Sequence, residues 1–173
     1  MPSTYTLISS NVLSSSAASV TFSAIPSTYT DLVLRWSART DASGSQYDSI
    51  YLKFNGNSAN YSRVTLRGNG AAAASQIASS QTEANILISA SAPTGTANTF
   101  SNVELYFPNY AGSTNKPFSS FSAQENNTTT AFLFANANLW SNTSAITSIA
   151  LTPEIGPNFV SGSSFYLYGI KNS

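Results

Sequence analysis

Polar and apolar side chains alternate along much of the chain with a period of two, the spacing that sends successive residues of a strand to opposite faces. Leu32, Leu34, Trp36 and Ala38 fall on one face, and Val33, Arg35, Ser37 and Arg39 on the other. Ile50, Leu52 and Phe54 alternate in the same way with Tyr51 and Lys53, and Val103, Leu105 and Phe107 with Glu104 and Tyr106. The first-named set in each case is expected to point inward and its alternate outward, as in an antiparallel sheet with one wet face. Further strands are expected at Tyr5 to Ser9, Ser19 to Ala24, Arg63 to Arg67, Asn85 to Ala90, Phe118 to Gln124, Ala131 to Leu139, Ile146 to Thr152 and Ser164 to Ile170.

Between these runs lie Asn55-Gly56-Asn57, Gly68-Asn69-Gly70, Pro93-Thr94-Gly95 and Pro153-Glu154-Ile155-Gly156-Pro157, each suited to reversing the chain. Strand, turn, strand at this spacing predicts an all-β fold, an antiparallel β-sandwich of about ten or eleven short strands. The segment Ala71 to Thr82 breaks the pattern. Its alanine run suits a short helix, while Ser75, Ser79, Ser80, Thr82 and a Gly-rich entry suit a loop, and both readings stay open. No linker, charge run, heptad or repeat divides the chain, so residues 1–173 read as a single β-sandwich domain.

Composition narrows the chemistry. Ser, Thr and Asn are abundant, which alone would suggest disorder, but 12% aromatic residues supply material for a packed core. Only 8% of the side chains are charged, against about a quarter in an average domain, and the seven basic and seven acidic groups cancel. Arg35, Arg39, Lys53, Arg63, Arg67, Lys116 and Lys171 are scattered, so neither nucleic acid nor a membrane surface is an expected partner. The opening MPSTYTLISSNVL lacks the features of a secretory signal, and no run of about 18 apolar residues follows. The chain has no His and no Cys, which removes the commonest proton shuttle, thiol nucleophiles, disulfides and the usual zinc ligands.

No catalytic residue, cofactor or metal site is therefore expected, and the chain reads as a non-enzyme. Glu104 and Glu125 sit on or beside separate strands and could meet across a sheet, but ordinary exposed carboxylates are the simpler reading. The segment from Asp41 to Asp48 is a Gly-containing loop bounded by carboxylates, yet it lacks the ligand spacing of a calcium loop and reads as a turn. No Ser sits in a G-x-S-x-G elbow. Arg35 with Arg39, and Arg63 with Arg67, form two short stripes expected to pair with Asp31, Asp41 and Asp48 or to meet acidic groups of a partner. Trp36 belongs to the core. Tyr47, Tyr51, Tyr61, Tyr106, Tyr110 and Trp140 are the candidate contact residues, for a protein interface in preference to a sugar, since Tyr and Trp are enriched at interfaces and also stack on glycans.

Seven stretches of the chain also carry a resemblance. YTLISS and SVTFSAIPSTYTDLVLRWSART near the start, LKFNGN, NYSRVTLRGNG, VELYFPNY, LWSNTSAITSIALTP and the closing FYLYGI follow one another in order. Together they resemble a family of small virion modules of tailed bacteriophages, including those of cyanobacteria. The resemblance implies a jelly-roll-like sandwich displayed on the virion surface after assembly in the host cytoplasm. It implies a capsid decoration or cement protein, whose partners would be the major capsid protein and sister copies in a homotrimer. The alternative it leaves open is a tail-fibre or receptor-binding module that recognises host glycans. The lack of a shaft or attachment segment in these residues favours decoration.

Overall fold

The structure is a computed structural model that describes residues 4–127 and 131–171. Met1 to Ser3 of the opening segment lie outside the described residues. Twelve strands form two antiparallel sheets: β1 (Tyr5–Val12), β2 (Val20–Phe22), β3 (Asp31–Ser37), β4 (Tyr47–Phe54), β5 (Tyr61–Gly68), β6 (Ala73–Gln81), β7 (Ala84–Ser91), β8 (Asn102–Phe107), β9 (Lys116–Gln124), β10 (Phe132–Trp140), β11 (Ile149–Pro153) and β12 (Ser164–Ile170). The all-β sandwich read from the sequence is the fold.

The eight-stranded sheet runs β1-β12-β3-β8-β9-β10-β5-β6, and the four-stranded sheet runs β2-β11-β4-β7. The block β1-β12-β3-β8 packed on β2-β11-β4-β7 is a jelly roll, because the chain passes from one sheet to the other at β1 to β2, β3 to β4, β7 to β8 and β11 to β12. Two antiparallel hairpins, β5-β6 and β9-β10, are inserted between those strands. They join edge to edge through the β5–β10 pairing and continue the large sheet past β8. The molecule is thus a jelly roll with a four-stranded extension.

In the jelly roll the expected alternation holds. Leu32, Leu34, Trp36, Ile50, Leu52, Phe54, Val103, Leu105 and Phe107 are all buried in one hydrophobic cluster. Val33, assigned to the outward face, is also buried, between its register partners Tyr106 and Tyr168 on that face. Phe54 is the centre of the cluster, with the rings of Tyr61, Phe107, Phe118 and Trp140 at 5.4–5.7 Å. The chain leaves Phe54 through a turn in which Asn55 and Gly56 both have positive φ and the Asn57 amide bonds back to Phe54 O. Asn and Gly tolerate that backbone. The Asn55 side chain then accepts from the amides of Thr147 and Ser148 and donates to Ala145 O.

The segment Ala71 to Thr82 corrects the sequence reading. It is neither loop nor helix: Ala73–Gln81 is a strand, paired to β5 from Gly68↔Ala73 to Tyr61↔Gln81. Backbone pairing to β5 overrides an alanine-rich local preference, because a strand at a sheet edge needs no apolar face of its own.

Candidate interaction surface

In the middle of the extension the alternation is reversed, while Tyr61, Phe118, Phe134 and Trp140 on the same strands stay buried. Thr65 of β5, Asn136 and Asn138 of β10, and Ser120 and Ser122 of β9 point inward and are buried. Thr65 Oγ1 donates to Asn136 Oδ1 at 2.6 Å, and the amides of Asn136 and Asn138 both donate to Ser120 Oγ, at 3.0 and 3.2 Å. Ser122 Oγ donates to Leu87 O on β7 at 3.1 Å. The last contact gives the physical reason for a polar lining. Strand β7 is an edge of the small sheet, and the extension reaches past it, so side chains there meet backbone carbonyls that need donors.

Polar residues inside leave apolar ones outside. The registers place Ile77, Val64, Ala137, Ser119 and Tyr106 in one row across the outer face from β6 to β8. Ser75, Leu66, Ala135, Phe121 and Glu104 form the next row. Val64, Leu66, Ile77, Phe121 and Leu133 are 49–77% exposed. The small side chains of Ala135 and Ala137 floor a shallow trough of about 500 Å³ between walls made by Val64 and Leu66 on one side and Phe121 and Tyr106 on the other. At the far side of the trough Glu104 is paired to Arg35 at 2.6 Å, which neutralises the one charged couple in these rows. The Arg35 guanidinium also lies 5.8 and 5.9 Å from the ring centres of Tyr5 and Tyr168.

The outer face of the small sheet differs in kind. Lys53 pairs with Glu83 at 2.7 Å, and Glu154 accepts from the Tyr51 hydroxyl at 2.6 Å and from the Asn85 amide at 3.0 Å. Burial, with that hydrogen bond to Glu154 and the nearby negative charge, pushes the Tyr51 phenol up to about 12. This face is polar, and Lys53, Glu83 and Glu154 each have a partner there.

The six aromatic candidates divide between surface and core. Tyr61, Tyr110 and Trp140 are each 1% exposed and are core residues, which corrects their assignment as contact residues. The Tyr61 hydroxyl accepts from Phe54 N and donates to Asn57 O, and the Tyr110 hydroxyl donates to Pro26 O, so both phenols find partners without reaching solvent. Tyr47 is half-buried, packed edge-on against Phe132 at 5.2 Å. Tyr51 is held by Glu154. Only Tyr106 lies on the apolar face, with its hydroxyl on Asp31 at 2.7 Å. The aliphatic residues of that face, Val64, Leu66, Ile77 and Leu133, escaped a search directed at aromatics. The signal that marks two of them is local: in Arg63 to Arg67, Val64 and Leu66 share one face while Thr65 takes the other.

The charged residues serve the fold. Arg35 pairs with Glu104, and Arg39 donates to the carbonyls of Gly95, Thr96 and Thr99, so neither takes the expected Asp31, Asp41 or Asp48. Asp41 accepts from the Asn158 amide and side chain. Asp48 is fully buried and accepts from Thr40 Oγ1 and from the amides of Ser49, Ile155 and Gly156. Burial raises its pKa and the four hydrogen bonds oppose the rise. The Asp41 to Asp48 loop is thereby tied to the Ile155–Asn158 segment. Glu104 stands opposite Phe121, and Glu125 lies four residues further along, about 13 Å at strand rise, so the two carboxylates do not share a site. Among the described residues no three acidic groups converge as metal ligands. No family model matches the chain, and no curated protein or solved structure matches it either.

Proposed function

We propose that the chain is a structural protein of a bacteriophage particle, a capsid decoration or cement protein that works by binding and not by catalysis. Its docking surface is the outer face of β5, β6, β9 and β10, and its partner is a shell subunit. The observation that carries this reading is the reversed alternation of the extension, with Thr65, Asn136 and Asn138 inside and Val64, Leu66, Ile77 and Phe121 in water. Covering five half-exposed large apolar side chains supplies about 5 kcal/mol before the cost of association. The virion setting comes from the resemblance of the seven ordered motifs.

The test is re-attachment of purified protein to capsids stripped of it. Attachment is expected to vary little between low and high salt, because the face carries one self-neutralised ion pair. Leu66→Asp or Phe121→Asp is expected to abolish it. Attachment that is lost at high salt, or is indifferent to both substitutions, would reject this reading.

A second reading, glycan recognition by a receptor-binding module, draws on the other end of the same sheet. There Tyr166 and Tyr168 stack at 6.5 Å, and Tyr5 meets Tyr168 edge-on at 6.4 Å. Binding on a glycan array that disappears with Tyr168→Ala supports it.

A further inference from the structure

The two sheets have four edges, and three are closed or interrupted. Strand β2 has three residues. Strand β7 is buried along most of its length and accepts from Ser122. The pairing of β1 is broken by a bulge between Leu7 and Ser9. Strand β6 is neither short nor covered, and its one bulge, at Ser79 and Ser80 with Ser80 at positive φ, is confined to its last residues. Its nine residues, AASQIASSQ, contain no charge and no proline, and the side chains are exposed on both faces because β6 overhangs the small sheet. From Ala73 to Ala78 it pairs with β5 in unbroken register. Edges of this type leave a row of free backbone donors and acceptors, and proteins ordinarily blunt them with lysine, proline or a covering segment.

We propose that the free edge of β6 docks β6 of a second copy of this chain, antiparallel across a twofold axis, so that the two eight-stranded sheets become continuous. The proposal is independent of shell binding.

Several observations select a second copy as the occupant. A twofold axis through Ser75, Gln76 or Ile77 pairs residues that share a face and sets only Ala, Ser, Gln and Ile opposite one another, with no like charges in contact. A foreign strand recognised by charge finds no counter-charge on β6. The nearest cation, Arg67, stands on β5 and is exposed. Its copy is at least three strand spacings away, about 14 Å, beyond a screening length of about 8 Å. The net charge of the chain is zero, so the copies do not repel as wholes. Pairing also brings Val64, Leu66 and Ile77 of the two copies side by side and doubles the apolar face.

Area sets the strength. The regular edge from Ala73 to Ala78, about 20 Å long on one sheet about 10 Å thick, presents about 200 Å² per copy, against about 800 Å² in a stable complex. The dimer is therefore weak in dilute solution and fills as copies are concentrated.

The chain has no cysteine, which makes single introduced thiols a clean reporter. Ser75→Cys, Gln76→Cys and Ile77→Cys are compared under mild oxidation with Thr21→Cys, an exposed position on β2. At least one β6 variant is expected to form a covalent dimer about tenfold faster than Thr21→Cys, since cross-strand partners approach disulfide geometry. Sedimentation of the unaltered chain is expected to show a concentration-dependent dimer, which Gln76→Lys returns to monomer while the circular dichroism spectrum is unchanged. The proposal is overturned if all three β6 thiols couple no faster than the β2 thiol, or if Gln76→Lys leaves the association unaltered. Neither readout involves capsids, so failure of shell attachment and failure of edge pairing are separate results.

Discussion

The jelly roll and its extension share one sheet but treat the two faces of that sheet in opposite ways. In β3 and β8 the large apolar residues Leu32, Leu34, Trp36, Leu105 and Phe107 meet the small sheet. In the middle of β5, β9 and β10 the inner positions carry Thr65, Ser120, Asn136 and Asn138, between the buried rings of Tyr61, Phe118, Phe134 and Trp140, and Val64, Leu66 and Phe121 stand outside. The difference follows from what lies beneath. The jelly-roll strands cover another layer of side chains, where each removed Å² of apolar surface stabilises the fold. The extension overhangs the edge of β7, where hydrogen-bond donors and acceptors must be met. One part of the sheet closes over a second layer, and the other leaves large apolar side chains exposed.

The largest expected effect tests the first half. Phe54 is fully buried against four aromatic rings, so Phe54→Ala removes a ring and leaves a cavity. Denaturant unfolding should show a loss of about 4 kcal/mol. A loss below about 1 kcal/mol would mean that the jelly roll is not the seat of stability.

The polar interior of the extension should respond differently. Asn136→Leu leaves the Thr65 hydroxyl without its acceptor and should cost about 2 kcal/mol. The double variant Thr65→Val/Asn136→Leu removes both partners and should recover most of that loss. If the double variant is worse than the single one, the network is more than a way of satisfying buried groups. Hydrogen exchange is expected to show β6 and the outer part of β5 opening before β3 and β4, because their backbone bonds are solvent-exposed.

The junction between the two regions titrates. Burial pushes the Tyr61 phenol up to about 12, so the folded state holds this proton more tightly than the unfolded chain does. Its stabilisation is complete below a pH of about 10, where an unfolded tyrosine titrates, and is lost as the pH rises toward 12. Tyr51 follows the same sign from the polar face. Unfolding midpoints taken across that window should fall less steeply for Tyr61→Phe than for the parent chain. Equal slopes would remove Tyr61 from the alkaline response.

The jelly roll was legible in the sequence because its alternation pairs a large apolar set with a plainly polar or mixed one, as in Ile50, Leu52 and Phe54 against Tyr51 and Lys53. The extension was legible in part: strands were expected at Arg63 to Arg67, Phe118 to Gln124 and Ala131 to Leu139, where β5, β9 and β10 lie, but β6 and the choice of buried face were not. Along Leu133 to Trp140, Leu133, Ala135, Ala137 and Leu139 compete with Phe134 and Trp140, and either set could be the core. In AASQIASSQ a single large apolar residue gives no period at all, and only the pairing to β5 makes it a strand. The candidate surface failed for a related reason. Aromatic content drew attention to Tyr61, Tyr110 and Trp140, but in this sandwich large rings are the residues that fill the centre. Whether a tyrosine is buried depended on an internal partner for its hydroxyl, Phe54 N across a turn for Tyr61 and Pro26 O from a distant part of the chain for Tyr110.

The smallest effect on folding is also the sharpest test of the division. Ile77 and Leu66 are 77% and 59% exposed, so replacing either by Ser gives up little that folding had removed from water. Ile77→Ser and Leu66→Ser should each shift the stability of the single chain by less than about 0.5 kcal/mol. Leu34→Ser, which buries a hydroxyl in the jelly-roll core, should cost several times as much. Under the proposed docking role, association is where the removal of these exposed side chains should register. If Leu66→Ser instead lowered stability by more than about 2 kcal/mol, the outer face would belong to the folding core and the contrast between the two regions would not hold.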